Sequence, residues 1–198
     1  MFILAKKILW HTSLWLGRLA YGKKYIQGRH FEFGNDGWKW VYKGIWFQKI
    51  LGFNRRVPWP CAPFLHIGKP DRIHFHPDEL NNFQSPGLYL QTNGGDIYIG
   101  KDAMIGPNVG IITANHDPVN VRGHVSGADV VIGEACWIGM NTVVMPGVVL
   151  GRGTVVGAGS VVTRSFPEGR CLIAGAPARL IKTYPSHSTA LEEGSQES

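Results

Sequence analysis

Acidic side chains are nearly missing from the first sixty residues. Glu32 and Asp36 stand there against 11 Lys and Arg, a balance of +9, while the other 138 residues carry 9 basic and 12 acidic side chains, a balance of −3. The formal charge of +6 is therefore an N-terminal property. Cysteine is scarce too. Cys61, Cys136 and Cys171 form no CxxC pair, which excludes a disulfide framework and suits a reducing, cytoplasmic compartment. Long apolar runs are absent. The longest uncharged stretch near the start, residues 8–17, has ten residues, about half of what a membrane helix needs. Arg18 and the lack of a small-residue cleavage site argue against a signal peptide.

The basic segment holds six of the seven tryptophans: Trp10, Trp15, Trp38, Trp40, Trp46 and Trp59. Lys, Arg and Trp together suit the headgroup zone of an anionic bilayer, where ammonium groups meet phosphate and indoles straddle the interface. Residues 1–60 are expected either to touch the inner face of the plasma membrane peripherally or to pack as a helical cap. Helices are expected near 2–20 and 38–52. No nucleic-acid motif accompanies the charge, so nucleic acid is set aside as a partner.

The rest of the chain is periodic. An aliphatic residue returns every sixth position at Ile99, Ile105 and Ile111, and again at Ile132, Ile138, Val144, Leu150, Val156 and Val162. This is a hexapeptide repeat, and three hexapeptides close one triangular coil of a parallel β-helix with an aliphatic side chain inward on each face. Glycine follows the aliphatic at 100, 106, 133, 139, 151 and 157, where it is expected to turn a corner in backbone angles that a Cβ forbids. The fourth residue after the aliphatic is small or β-branched, as at Ala103, Val109, Cys136, Thr142, Val148, Thr154 and Ser160, which fits a narrow interior. Cys136 reads as buried filler rather than a nucleophile.

The phase breaks once. Ile111 to Ile132 is 21 residues, which reads as one coil of 18 plus three. The segment between, residues 113–129, is polar, holds His116 and His124 and is punctuated by Pro118, Gly123 and Gly127. It is expected to be an excursion loop, and loops on rigid scaffolds are where chemistry tends to sit. The chain thus divides into an aromatic and basic segment (1–64), a β-helix with its closing segment (65–182), and a polar tail (183–198) expected to be disordered. Within the β-helix, 65–98 read as irregular early coils.

The run from Ile99 to Val109 (IGKDAMIGPNV), the loop TANHDP ending at Pro118, CWIGM ending at Met140, GAGSVVT ending at Thr163 and IAGAPAR ending at Arg179 resemble the left-handed β-helix acyltransferases. Within them the chain is similar to the maltose, galactoside and nodulation-factor acetyltransferases and to the O-acetyltransferases of capsule, colanic acid and lipopolysaccharide synthesis. The resemblance implies a homotrimer with acetyl-CoA in the cleft between adjacent β-helices, no metal, and a sugar hydroxyl of a bacterial surface polysaccharide or its precursor as acceptor. It implies His116 as general base and the backbone N–H of Met140 as oxyanion donor. Asn115 and Trp137 would face the acceptor. Gly139, Ala158, Thr163, Arg164, Arg179 and Lys182 would hold the cofactor, its phosphates suited to guanidinium and ammonium groups. Asp117 is a candidate to orient His116. The segment from Gln84 to Leu88 departs from the sugar-acetyltransferase pattern, which argues against simple disaccharides.

Chemistry independent of family points the same way at His116. A hydroxyl attacking a thioester benefits from a base that takes its proton, and imidazole titrates near neutrality. The other histidines (11, 30, 66, 74, 76 and 187) read as surface or satisfied residues, and His124 as a loop residue. Two other readings stay open: an N-acetyltransferase of an amino sugar or antibiotic, and a zinc-dependent β-helix hydratase or non-catalytic scaffold. Zinc catalysis needs about three convergent ligands, and no third histidine stands at coil spacing beside His116 and His124.

Overall fold

The computed structural model describes residues 2–123 and 126–185. Among the described residues fourteen strands follow one another, most only two or three residues long: β1 (His66–Ile67), β2 (Ile73–Phe75), β3 (Tyr89–Gln91), β4 (Ile97–Ile99), β5 (Met104–Ile105), β6 (Gly110–Ile112), β7 (Val130–Ile132), β8 (Trp137–Ile138), β9 (Val143–Val144), β10 (Val149–Leu150), β11 (Val155–Val156), β12 (Val161–Val162), β13 (Cys171–Gly175) and β14 (Ala178–Thr183). They stack into three sheets: β1-β3-β6-β9-β12, then β2-β4-β7-β10, then β5-β8-β11-β13-β14. From β3 to β12 successive strands visit the three sheets in turn, so the chain winds there as a coil of triangular section. Every pairing is parallel except the closing hairpin of β13 with β14.

All nine repeat aliphatics from Ile99 to Val162 are buried, and so are Ala103, Val109, Cys136, Thr142, Val148, Thr154 and Ser160. Each buried Ile, Leu or Val contributes about 1.5–3 kcal/mol relative to exposure. Polar members of this interior bond to the coil backbone: Thr154 Oγ1 donates to the Gly151 carbonyl (2.7 Å) and the Cys136 thiol to the same carbonyl (3.2 Å). Burial raises the Cys136 thiol above its ordinary pKa, consistent with inert filler.

The glycines after the inward aliphatic serve a purpose other than the expected one. The left-handed corner residue lies two positions later, at Asp102, Asn108, Ala135, Asn141, Gly147, Gly153 and Gly159. Gly100 and Gly139 are required instead by close stacking. A Cβ at Gly100 would lie 2.6 Å from the Glu134 nitrogen, and one at Gly139 2.6 Å from the Ala158 nitrogen. The short pitch of the coil, not the corner angle, leaves no room for a side chain there.

The phase break is also of a different kind from the coil-plus-three reading. Ile99 pairs with Ile132 and Ile111 with Val144, so β6 and β7 lie on successive faces with no coil between them. Ile111 to Ile132 is thus a single six-residue step that carries 15 extra residues out of the coil.

The N-terminal segment contains α1 (Phe2–Tyr21), α2 (Gly37–Gly44) and a π-helical turn over Ile45–Ile50 that continues α2. It shares one hydrophobic core with the coils. Trp59 is fully buried among Tyr25, Phe75 and Phe83, with ring centroids 4.9–5.5 Å away. The buried Gln48 ties the segment together: its Oε1 accepts from Tyr21 and from the Cys61 N–H (both 3.0 Å), and its Nε2 donates to the Trp59 carbonyl (3.1 Å). Arg29 bonds to Asp102 (2.8 Å) and, through its backbone N–H, to Asp78 (2.7 Å). Trp15 and Trp46 remain exposed. Residues 186–198 of the expected tail lie outside the described residues, as do His124 and His187.

Candidate active site

The excursion leaves the edge between the first and second sheets, and its neck is closed by hydrogen bonds. Ala128 N–H donates to the Thr113 carbonyl (2.9 Å). Gln91, at the end of β3, grips the outgoing strand: its Oε1 accepts from Thr113 N–H (3.0 Å) and Ala114 N–H (3.2 Å), and its Nε2 donates to the Ala114 carbonyl (3.1 Å). Gly94 and Gly95 allow both ends of the excursion to press on the coil, since a Cβ at Gly94 would lie 2.7 Å from the Ala114 Cβ and one at Gly95 2.6 Å from the Ala128 carbonyl carbon. Thr113 and Ala114 are buried, whereas His116, two residues on, is exposed. A hydrogen-bonded neck thus carries an exposed His116.

Asn115 is half-buried beside His116. The contacts of Asp117 run within the loop: its carboxylate accepts from Val119 N–H (2.8 Å) and its own N–H donates to the Gly123 carbonyl (3.1 Å). Asp117 therefore shapes the turn that follows His116. Thr163 and Arg164 follow β12 on the same edge, two coils further on. Both are exposed, and the Arg164 guanidinium stacks over Phe166 at 5.0 Å.

A second group of residues lies elsewhere. Trp137 sits on the third sheet in register with Met104 and Val155, its indole 60% exposed. Gly139 and Met140 follow it onto the edge between the third and first sheets. Ala158 stacks one coil above them, its nitrogen 2.6 Å from where a Cβ on Gly139 would lie. Arg179 and Lys182, exposed on β14, pair with Ala174 and Leu172 of β13 on that sheet. The residues along this edge are small at Gly139, Ala158 and Gly159, and Met140 and Trp137 are exposed beside them.

One chain therefore carries the two groups on separate edges, the first sheet lying between them. The His116 loop and Arg164 occupy one edge; Met140 and Ala158 occupy the other, beside Trp137 and the β14 cations on the third sheet. Gln91 had no signal in the sequence, because a lone glutamine in the irregular early coils matches no motif. Among the described residues, no group of three or more His, Cys, Asp or Glu is placed to hold a metal ion. The remaining described histidines are engaged elsewhere: His74 with Asp96 (2.7 Å), His66 stacked on Tyr89 (4.5 Å), His30 with the Asp78 carbonyl (2.7 Å), His76 accepting from the Asp78 N–H (3.2 Å), and His11 against the Trp10 ring (4.6 Å).

Residues 129–164 match the family described as bacterial transferase hexapeptide (six repeats). With the sheet pairing, this makes the chain a parallel β-helix of hexapeptide repeats. A galactoside O-acetyltransferase of Lactococcus lactis is 44% identical over 71 residues, which cover 31% of this chain and 34% of that protein. The chain thus spans about a third of the length of that relative. Among solved structures, a maltose O-acetyltransferase from Clostridium difficile is 26% identical over 75% of this chain and 89% of its own, with a TM-score of 0.47. A hexapeptide-repeat acetyltransferase from Vibrio cholerae, complexed with acetyl coenzyme A, is 26% identical over 62% of this chain and 69% of its own, also with a TM-score of 0.47.

Proposed function

We propose that this protein is an acetyl-CoA-dependent O-acetyltransferase that acylates a sugar hydroxyl of a bacterial surface polysaccharide or its precursor, working as a homotrimer. What carries the reading is the loop neck: a 15-residue excursion, clamped by Gln91, presents an exposed His116 on an otherwise regular coil. The division of the site residues between two edges supports the trimer. In a threefold assembly the loop edge of one copy can meet the Trp137 edge of the next, and a closed cyclic arrangement completes three such sites.

The residues present suit the cosubstrate. Exposed Arg164, Arg179 and Lys182 offer cations for its phosphates, and the small residues Gly139 and Ala158 put no bulky side chain in the way of an unbranched arm. Bound acetyl-CoA supplies a thioester whose C–S bond breaks as the new C–O ester bond forms. His116 takes the proton from the attacking hydroxyl and later delivers it to the departing sulfur, so the imidazole ends as it began. The Met140 N–H donates to the carbonyl oxygen as negative charge develops there. Trp137 and Asn115 bound the space for the sugar. The basic and tryptophan-rich composition of residues 1–60 supports a peripheral seat at the inner face of the plasma membrane, where glycans on a lipid carrier are found.

The test is acetyl-CoA turnover against free sugars, nucleotide sugars, amino sugars and polyprenyl-linked glycans, with the acetylated position mapped. Ester formation on a glycan hydroxyl is expected. Amide formation on the amino sugars alone would replace O-transfer by N-transfer, and no turnover with any acceptor would overturn the enzyme reading.

A further inference from the structure

The outer face of α1 is apolar and bare. Leu4, Ile8, Trp15 and Leu19 are 58–75% exposed. Their spacing of four, seven and four places them within about 60° around the helix, along about 22 Å of its length. The opposite face is fixed to the protein. A Cβ on Gly17 would lie 2.9 Å from the Val41 Cγ2, Trp10 Nε1 donates to the Phe31 carbonyl (2.8 Å), and Tyr21 reaches the buried Gln48. The stripe is thus held outward by a docked helix.

We infer that this stripe is a membrane-seating surface, lying in the plane of an anionic bilayer with Leu4, Ile8, Trp15 and Leu19 in the headgroup and acyl boundary. Helical spacing puts Lys7, His11 and Arg18 along one flank of the stripe, and Lys23 and Lys24 follow its C-terminal end. Cations beside an apolar stripe with a central tryptophan are the arrangement by which a helix lies on a bilayer rather than across it. No helix among the described residues is long and apolar enough to cross one.

Charge selects the occupant. A second copy of the chain would bring another segment with 11 basic and two acidic residues to the same face, and like charges would oppose the contact. Anionic headgroups complement it. This deepens the membrane reading of residues 1–60 and rests on it, but it is independent of the acetyl-transfer chemistry.

The experiment uses the full chain with phosphatidylcholine vesicles prepared with and without phosphatidylglycerol. Binding is expected only with phosphatidylglycerol, released as salt rises, with tryptophan emission quenched by brominated acyl chains. A variant with Leu4→Gln, Ile8→Gln, Trp15→Gln and Leu19→Gln has a good helix former at all four positions, and circular dichroism checks that α1 persists. Its vesicle partition should fall by ~10-fold or more, with unchanged turnover of a water-soluble acceptor. Lys7→Glu with Arg18→Glu, which leaves the stripe intact, should weaken binding as well. Failure of the wild-type chain to bind at low salt, or undiminished binding by both variants, overturns the inference. A change in oligomeric mass in the Gln variant would instead make the stripe an interface between copies. Loss of soluble turnover in the wild type would count against the enzyme reading alone.

Discussion

Gln91 holds Ala114 by both ends of its amide, accepting from the Ala114 N–H at 3.2 Å and donating to the Ala114 carbonyl at 3.1 Å. Ala114 stands two residues before His116, so a side chain on the preceding coil sets where the excursion departs. The two residues are 23 positions apart, and only the stacking of β3 on β6 brings them together.

With His116 as the proposed base, Gln91 is a positioning residue. Gln91→Ala should lower kcat by ~10-fold or more, the scale of misplacing a reactive group, while the KM for acetyl-CoA changes little. Gln91→Glu retains the acceptor oxygen but not the donor to Ala114, and should fall between. Steady-state kinetics on folded, assembled protein decide the matter. A rise in KM with unchanged kcat would place Gln91 elsewhere in the mechanism.

His116→Ala should preserve assembly and cofactor binding and reduce turnover by roughly 100- to 10,000-fold, the range for losing a general base. Mixing it with an inactive Trp137 variant probes the division between edges. If sites form between neighbouring copies, about a quarter of the interfaces in randomly mixed trimers draw both residues from intact partners, and activity returns. No recovery after verified subunit exchange would place each site within one chain.

Arg164→Ala and Arg179→Ala should chiefly raise the KM for acetyl-CoA, because phosphate contacts remote from the reacting carbonyl act on binding more than on the chemical step. Dephospho-acetyl-CoA supplies the control. Variants that lower kcat equally for both donors are not acting through the phosphates.

Glu79 gives a pH dependence of stability. Its side chain is buried against Asp102, whose N–H donates to Oε1 (2.9 Å), and Oε2 has no hydrogen-bond partner among the described residues. Burial raises its pKa above the ordinary 4.5, outweighing the pull of the Asp102 N–H and of Arg29. The folded chain therefore retains a proton that the unfolded chain has released, and stability falls as pH rises from the ordinary value through the raised one. Glu79→Gln stays neutral and keeps the acceptor. The difference in Tm, variant minus wild type, should become more positive through that window and then level off, as thermal melts at a series of pH values would read. A difference that does not vary with pH would show that Glu79 titrates alike in both states.

The sequence by itself determined the coil. An aliphatic residue every six positions can be buried on one axis in only a few ways, and the three-sheet stack buries all nine of them with the small residues at the fourth position. The departure of residues 113–129 from that period was equally legible, because a polar, Pro- and Gly-punctuated stretch cannot fill an apolar column. Tertiary structure alone decided the rest. The glycines at 100 and 139 are required by a neighbouring coil's backbone, which lies 34 and 19 residues away in sequence at Glu134 and Ala158. The excursion proved to be 15 residues on a single step, since strand register is a relation between coils and not a property of the segment. Gln91 beneath Ala114, and the separation of His116 from Trp137 and Met140 onto different edges, likewise depend on which coil stacks on which. Periodicity is written along the chain, but contacts between coils are set by the pitch and by where the winding was interrupted.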